Sequence, residues 1–301
     1  MDQHEWLAGQ FEANRKRLRA VAYRMLGSLS EADDAVQEAW LRVSRANASE
    51  IENLRGWLTT VVGRVCLNEL RSRTGRREAP LDAHVPDPIV SHPDRIDPEH
   101  QAILADSVGL ALLVVLETLD PAERLAFVLH DMFDLPFSEI APLVDRSPAA
   151  ARQLASRARR RVRGSSKAPE ADPGRQRAAL DAFLGAARTG DFQALLEVLD
   201  PDVVLRADRG AAPPGASRIV RGARSVARGA VAFTLAVTKV VGSVRPALVN
   251  GAAGVVAFDV HGRLFSVMGI TVSQGKIVEI DILADPERLP QLDLTALDEP
   301  A

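Results

Sequence analysis

The chain has one cysteine, Cys66, inside the apolar run VVGRVCL, so no disulfide can form within it. With only six scattered histidines beside that cysteine, no zinc-ligand cluster can be assembled, and neither a metal nor another cofactor is expected. Aromatic residues are scarce at 4%, with a single tyrosine, Tyr23. Long apolar runs are missing too: no stretch approaches the roughly 20 residues of a membrane helix. The opening MDQHEWLAGQFEANRK lacks the apolar segment of a signal peptide. A soluble protein of the reducing cytoplasm is expected. Excess charge of one sign is also absent, with 37 basic and 40 acidic residues and a net charge of −3, so any polyanion-binding surface must be sought in local clusters. A hydrophobic content of 47% and a charged content of 26% exclude a disordered or collagen-like polymer. At roughly 150 residues per domain, 301 residues make two or three domains.

Composition breaks the chain twice. Between Ser72 and Pro98 the sequence carries Pro80, Pro86, Pro88, Pro93 and Pro98 without a helical period, and it reads as a linker over residues 78–97. A second polar, proline-containing break, GSSKAPEADPG, marks 164–174. The modules 1–77 and 98–163 have helix-period apolar patterns and are expected to be all-α. The third module, 175–301, opens with a helical RQRAALDAFLGAART. After Pro201 it passes into short β-rich runs, GVVAFDV, RLFSVMGITV and KIVEIDIL among them, so it is expected to be α+β.

In the first module Ser30 and Asp33 resemble a capping box, followed by the apolar stripe Val36, Ala39, Trp40 and Val43. Glu31, Asp33, Asp34, Gln37 and Glu38 form an acidic face, which suits either docking or simple solvation of a helix start. The segment Asn53–Arg77 has Trp57, Leu58, Val61, Val65 and Leu70 at helical spacing and ends in Arg71, Arg73, Arg76 and Arg77. Four arginines in seven residues suit phosphate.

In the second module Asp120, Pro121 and Glu123 make a helix start. A short helix FSEIAPLV, a turn at Asp145 and Arg146, and a fresh start at Ser147 and Pro148 then give the order of a helix-turn-helix. Pro142 predicts a distortion in the first of these helices. On the second, Ala151, Leu154, Ala158 and Val162 share one face, while six arginines and no acid occupy the segment. Its first turns would enter the major groove, which makes Ala149, Arg152, Gln153 and Ser156 candidates for base edges and Arg157 and Arg160, with Arg159 and Arg163, candidates for phosphate.

The three segments EADDAVQEAWLRV, RGWLTTVVGRVCLNELRS and LDPAERLAFVLHDMFDLPFSEIAPLVDRSPAAARQLASRARRRV resemble, in the same order, those of extracytoplasmic-function (ECF) RNA polymerase sigma factors. The third module resembles the SnoaL-like (NTF2-like) cone domain of the SigJ-like subgroup. The resemblance implies docking of core RNA polymerase on Asp33, Asp34, Gln37 and Glu38. It implies contact with the downstream promoter element by Asn68, Arg71, Arg73, Arg76 and Arg77, with a base captured by the loop within 46–51. The helix-turn-helix would read the upstream element. Partners are then core RNA polymerase and promoter DNA, with no membrane, and the protein has no chemistry of its own.

The subgroup's Asp-Gly-Gly-Gly-Lys and Asn-Pro-Asp-Lys-Leu motifs are matched in part by Asp208-Arg209-Gly210-Ala211-Ala212 and by Ala284 to Leu289. The resemblance implies that Asp208, Asp285, Pro286, Arg288 and Leu289 tune activity in cis by touching the helical modules, and it leaves room for a small ligand in the third module. Two competing readings remain: a ligand-responsive helix-turn-helix regulator, and a fused cyclase or isomerase using Asp208, Asp259, His261 or Asp281. The second lacks a tyrosine to stabilise an oxyanion.

Overall fold

The computed structural model describes residues 3–45, 51, 53–75, 83–93, 109–165, 169–210 and 217–298. They form two compact units. The first holds residues 1–79, 101–106 and 115–165, and the second holds 80–100, 107–114 and 166–301. Among the described residues no helix is long and apolar enough to cross a membrane.

Among the described residues the first unit is all helical. Helix α1 (Gln3–Leu26) buries Leu7, Phe11, Leu18, Val21 and Met25 and stops at Gly27, whose φ of 77° only glycine adopts without strain. Helix α2 (Leu29–Val43) is capped by Ser28, which accepts from the Glu31 amide. The capping residue is therefore Ser28, one half-turn earlier than the Ser30 expected from the sequence; Ser28-Leu29-Ser30-Glu31 is the operative pattern. The Trp40 ring lies 5.1 Å from Phe11 and fixes α2 on α1. Helix α3 (Leu54–Gly75) buries Leu58, Val62, Cys66 and Leu67, and the smallness of Gly63 lets Leu125 and Leu129 approach it.

Helix α4 (Leu110–Glu117) begins in the second unit and ends in the first. Asp120 and Pro121 then open α5 (Pro121–Phe127), as expected. The chain continues from α5 in a π-helical turn, Val128–Met132. Next comes α6 (Phe137–Ile140), which tightens into the 3-10 turn Ala141–Leu143 at Pro142, the predicted distortion. Asp145 turns the chain at φ 53°, and Ser147 caps α7 (Pro148–Ser165) through the Ala150 amide.

The second unit is α+β. Its helices α8 (Pro173–Thr189), α9 (Phe192–Val198) and α10 (Ala223–Val237) pack against a seven-stranded sheet. The strands are β1 (Val90–Ser91), β2 (Leu199–Asp208), β3 (Arg218–Arg221), β4 (Val241–Val249), β5 (Ala252–Asp259), β6 (Leu264–Ser273) and β7 (Lys276–Leu283). Their order is β1-β4-β5-β6-β7-β2-β3, and only β2 and β7 run parallel among the pairs. Leu180, Phe183, Leu195, Val226, Ile270 and Ile280 fill the space between helices and sheet. The last described helix is α11 (Thr295–Asp298).

Strand β1 lies inside the segment expected to be a linker. Residues 83–93 belong to the second unit: Val90 pairs with Val249, and the Ile89 backbone exchanges hydrogen bonds with Asn250. Val85 and Ile89 are fully buried. The second expected linker is likewise tied down at its end, where the Glu170 amide donates to the Val272 carbonyl and Asp172 caps α8.

Candidate nucleic-acid interface

Helix α2 separates its faces cleanly. Ala32, Ala35, Val36 and Ala39 point inward, and Asp33, Asp34, Gln37 and Glu38 are all exposed. Two of these acids are held in place: Asp33 accepts both arms of Arg19, at 2.7 and 3.0 Å, and Glu38 accepts from Arg42 at 3.0 Å. Both pairs are solvent-exposed and add little stability. Their effect is to present a fixed acidic face.

Of the residues expected at the end of α3, Asn68 and Arg71 are exposed. Arg73 is not a free cation, because its guanidinium engages Glu31 of α2 and also Glu69. Arg76 and Arg77, and all but Ile51 of the 46–51 loop, lie outside the described residues. The other end of α3 borders a cleft of about 410 Å³ lined by Arg42, Trp57, Arg64, Glu139, Pro142 and Leu143, which joins α3 to the first helix of the helix-turn-helix.

Helix α7 sits on α5. Ala151, Ala155 and Ala158 are fully buried, so the packed face runs through the alanines, with Leu154 and Val162 half-buried beside them. The arginines then divide. Arg161 donates to buried Glu123 at 3.0 Å, and Arg159 pairs with Asp131. These two brace the helix, which corrects the expectation that Arg159 faces phosphate. Arg152, Gln153, Arg157 and Arg160 are exposed, Ala149 lies at the exposed start, and Ser156 is half-buried. Arg152 rests over the Phe137 ring at 5.5 Å, which limits its rotamers and aims it from the first turns of the helix. Among the described residues Arg157 and Arg160 make no ion pair.

The two partial motifs of the third module meet. Arg288 reaches across to Asp87 through Nε at 2.9 Å, to the Val85 carbonyl at 2.7 Å and to Asp208 Oδ2 at 2.8 Å. The same Asp208 oxygen accepts the Val85 amide at 3.0 Å and lies 3.2 Å from His84 Nδ1. Its other oxygen accepts the Gly210 amide. Gly210, at φ 77°, passes so close to Asp285 that a Cβ would lie 2.8 Å from its carboxyl carbon. Asp285 in turn caps the next turn by accepting from the Glu287 amide. Leu289 is buried, whereas Pro286 is exposed. Of the five residues expected to touch the helical modules, Asp208 and Arg288 instead engage residues 84–87 of their own unit, in what looked like a linker. The sequence reading missed His84, Val85 and Asp87; the one signal for them was the apolar residues of VPDPIV between the prolines. Burial alone would raise the Asp208 carboxyl. The bond to His84, the two backbone amides and the Arg288 charge outweigh it and hold the group well below the usual carboxylate range.

The expected acid/base residues do not form one site. Asp259 folds the β5–β6 hairpin, accepting the amides of His261 and Arg263 and the Arg263 side chain. Asp281 is buried with Glu279 around one cation, Arg206, which bridges both at 3.0 Å. Burial raises both carboxyls above their usual range, and the mutual repulsion adds to it at Glu279. No group of three or more metal-ligating side chains occurs among the described residues.

Comparison with known proteins agrees with this geometry. Residues 10–76 match the Sigma-70 region 2 family and residues 109–162 match Sigma-70, region 4. The chain is 38% identical to the probable ECF RNA polymerase sigma factor SigI of Mycobacterium tuberculosis, over 97% of this chain and 98% of that protein. It is equally 38% identical to the ECF RNA polymerase sigma factor SigJ of M. tuberculosis, over 93% and 92%. The crystal structure of M. tuberculosis SigJ superposes with a TM-score of 0.75 at 35% identity, covering 96% of this chain and all of that one. Similarity at 38% identity over nearly the whole length of both chains, with matches to both sigma regions, shows that the chain belongs to the ECF RNA polymerase sigma factors, which bind core RNA polymerase and promoter DNA.

Proposed function

We propose that the exposed side of α7 reads the upstream promoter element. Arg152 and Gln153 face base edges, and Arg157 and Arg160 hold phosphates. The observation that carries this is the division of the α7 arginines: those facing Glu123 and Asp131 are neutralised, and those on the open face are not. An arginine fixed over an aromatic ring near a helix start suits bidentate recognition of guanine. Asp33, Asp34, Gln37 and Glu38 dock the polymerase, and Asn68 and Arg71 contact the downstream element. Arg73 then acts at one remove, by holding α2 to α3.

We also assign the α+β unit a regulatory role in cis and no catalysis. Each carboxylate in it that could serve as acid or base is already engaged: Asp208 by residues 84–85 and Arg288, Asp259 by its hairpin, Asp281 by Arg206. The Arg288–Asp208 cluster holds the segment joining the two sigma modules, so releasing it changes how freely those modules separate. Truncation at Gly164 would be a poor probe, because β1 would lose its sheet and strand the apolar residues Val85, Ile89 and Val90 in water.

The test is reconstituted transcription with core RNA polymerase on a library of promoter fragments, comparing the full chain with its Arg288→Ala variant. Transcription from defined sites, altered in level but not in site by the variant, is the expected result. Association with duplex DNA but not with core enzyme would overturn the reading and favour a ligand-responsive regulator.

A further inference from the structure

The sigma modules account for the arginines of α3 and α7 but leave a second basic surface, in the α+β unit, without a role. Between Asp208 and Asp259 the chain has no acidic residue. Within that stretch Arg218, Arg221, Arg224 and Arg228 fall in the eleven positions 218–228. All four are exposed, and among the described residues none forms an ion pair.

The fold sets them along one border. Among the described residues strand β3 is the last of the sheet and pairs only with β2, Arg218 opposite Ala207 and Arg221 opposite Val204. A single residue, Gly222 at φ 85°, then carries the chain into α10, and its amide donates to the Val203 carbonyl at 2.8 Å. Strand and helix are therefore joined without slack. On α10 Arg224 and Arg228 stand one turn apart, on the side away from buried Val226 and Ala227. The acid that feels this strip, Glu279, is already held by Arg206.

Charges on an edge strand can serve merely to block pairing with another sheet. That accounts for Arg218 and Arg221 but not for Arg224 and Arg228, which lie on a helix and have no edge to guard. Like charges one turn apart cost stability unless a polyanion neutralises them. The strip offers guanidinium groups without an aromatic anchor among them, which suits a phosphate backbone better than a protein surface. DNA is also already tethered to this chain through its other modules, so even weak contacts are populated. We propose that the Arg218–Arg228 strip binds the phosphodiester backbone of duplex DNA, a sequence-independent contact in addition to those of the two sigma modules.

The experiment measures binding of the full chain with core RNA polymerase to a promoter fragment as salt is varied. The variants are Arg218→Gln/Arg221→Gln/Arg224→Gln/Arg228→Gln and the corresponding fourfold Arg→Lys. At roughly 0.9 per phosphate neutralised, the Gln variant is expected to lower the slope of log K against log salt by about 2–4, alike on every sequence, with the Lys variant close to the parent. An unchanged slope would overturn the proposal and leave the arginines as surface charges. A loss of affinity for core polymerase in the absence of DNA would overturn it too, by making the partner an acidic protein face. So would equal losses in both variants, since a point charge suffices for phosphate.

Discussion

Arg288 and Asp208, 80 positions apart, meet at 2.8 Å with Asp208 only 1% exposed, and together they clasp the backbone of Val85 from both sides, one donating to its carbonyl and the other accepting from its amide. Breaking one side of a buried ion pair leaves the other as an uncompensated buried charge. Arg288→Ala is therefore expected to cost about 3–5 kcal/mol of unfolding free energy in urea, and Arg288→Lys less, because a lysine keeps the charge but cannot serve Asp87, Val85 and Asp208 together. Amide exchange at Val85 and Ile89 should quicken in the Ala variant. Unchanged exchange there would show that the segment is held by β1 alone.

The carboxylates of the α+β unit respond to acid in opposite directions. Asp208 is depressed, so its contribution to stability is present above the unfolded carboxylate value and is lost as pH falls through the depressed folded value. Glu279 and Asp281 are raised, so the folded state takes up protons before the unfolded chain does, and acid relieves them. Removing their shared cation makes this visible. Arg206→Gln is expected to lose about 3–5 kcal/mol at pH 7 and to recover part of it by pH 5, as the two carboxyls protonate. Urea unfolding at the two pH values checks it, and a loss that deepens with acid would contradict the assignment.

Cys66 shows the same effect of burial on a thiol. Desolvation, the largest influence, pushes it up to about 12 against the opposing charges of Arg124 and Arg73. Only the thiolate reacts. Labelling of Cys66 by iodoacetamide in the native protein should therefore be limited by global opening, with a rate that rises in denaturant in step with unfolding. Rapid labelling without denaturant would mean that the α1–α3 core opens locally.

Asp145 holds a left-handed conformation in the turn before α7, at φ 53°. Relief of about 1–2 kcal/mol of backbone strain by glycine is offset by roughly 0.5–1 kcal/mol of added chain entropy, so Asp145→Gly should gain about 0.5 kcal/mol. Asp145→Val should lose about 1–2 kcal/mol, because a β-branched side chain fits that conformation badly. Thermal unfolding of the two variants tests the sign of each change.

The sequence showed some of these features and hid others for physical reasons. Periodicity marks α2 and α7, since each has a single buried stripe, and Ser147 with Pro148 marks the start of α7; α3 buries a broad arc through Leu58, Val62, Val65, Cys66 and Leu67, of which the expected stripe held only Leu58 and Val65. The cap of α2 is ambiguous because Ser28 and Ser30 each precede an acid by three residues; the positive φ of Gly27, which ends α1, selects Ser28. Glu31, Asp131 and Glu123, the partners of Arg73, Arg159 and Arg161, lie on other helical segments, so a count of arginines cannot separate braces from free cations. The role of residues 84–90 was least visible, because their partners Asp208, Asn250 and Arg288 lie 123 to 204 positions away and the intervening prolines erase any period.

That distinction between braces and free cations gives the sharpest test of α7. Arg161→Ala would leave the 5%-exposed Glu123 carboxylate unpaired, and is expected to cost about 1–3 kcal/mol in unfolding with the salt dependence of DNA binding unchanged. Arg160→Ala should do the reverse, leaving stability alone, weakening every sequence alike and lowering the salt slope by about 1. Arg152→Ala should relax preference at one base pair of the upstream element by about 1–3 kcal/mol. Unfolding curves and a salt series on promoter and scrambled duplexes separate the three. If Arg152 and Arg160 gave the same sequence-independent loss, α7 would be seated on the DNA backbone and the bases would be read by another element.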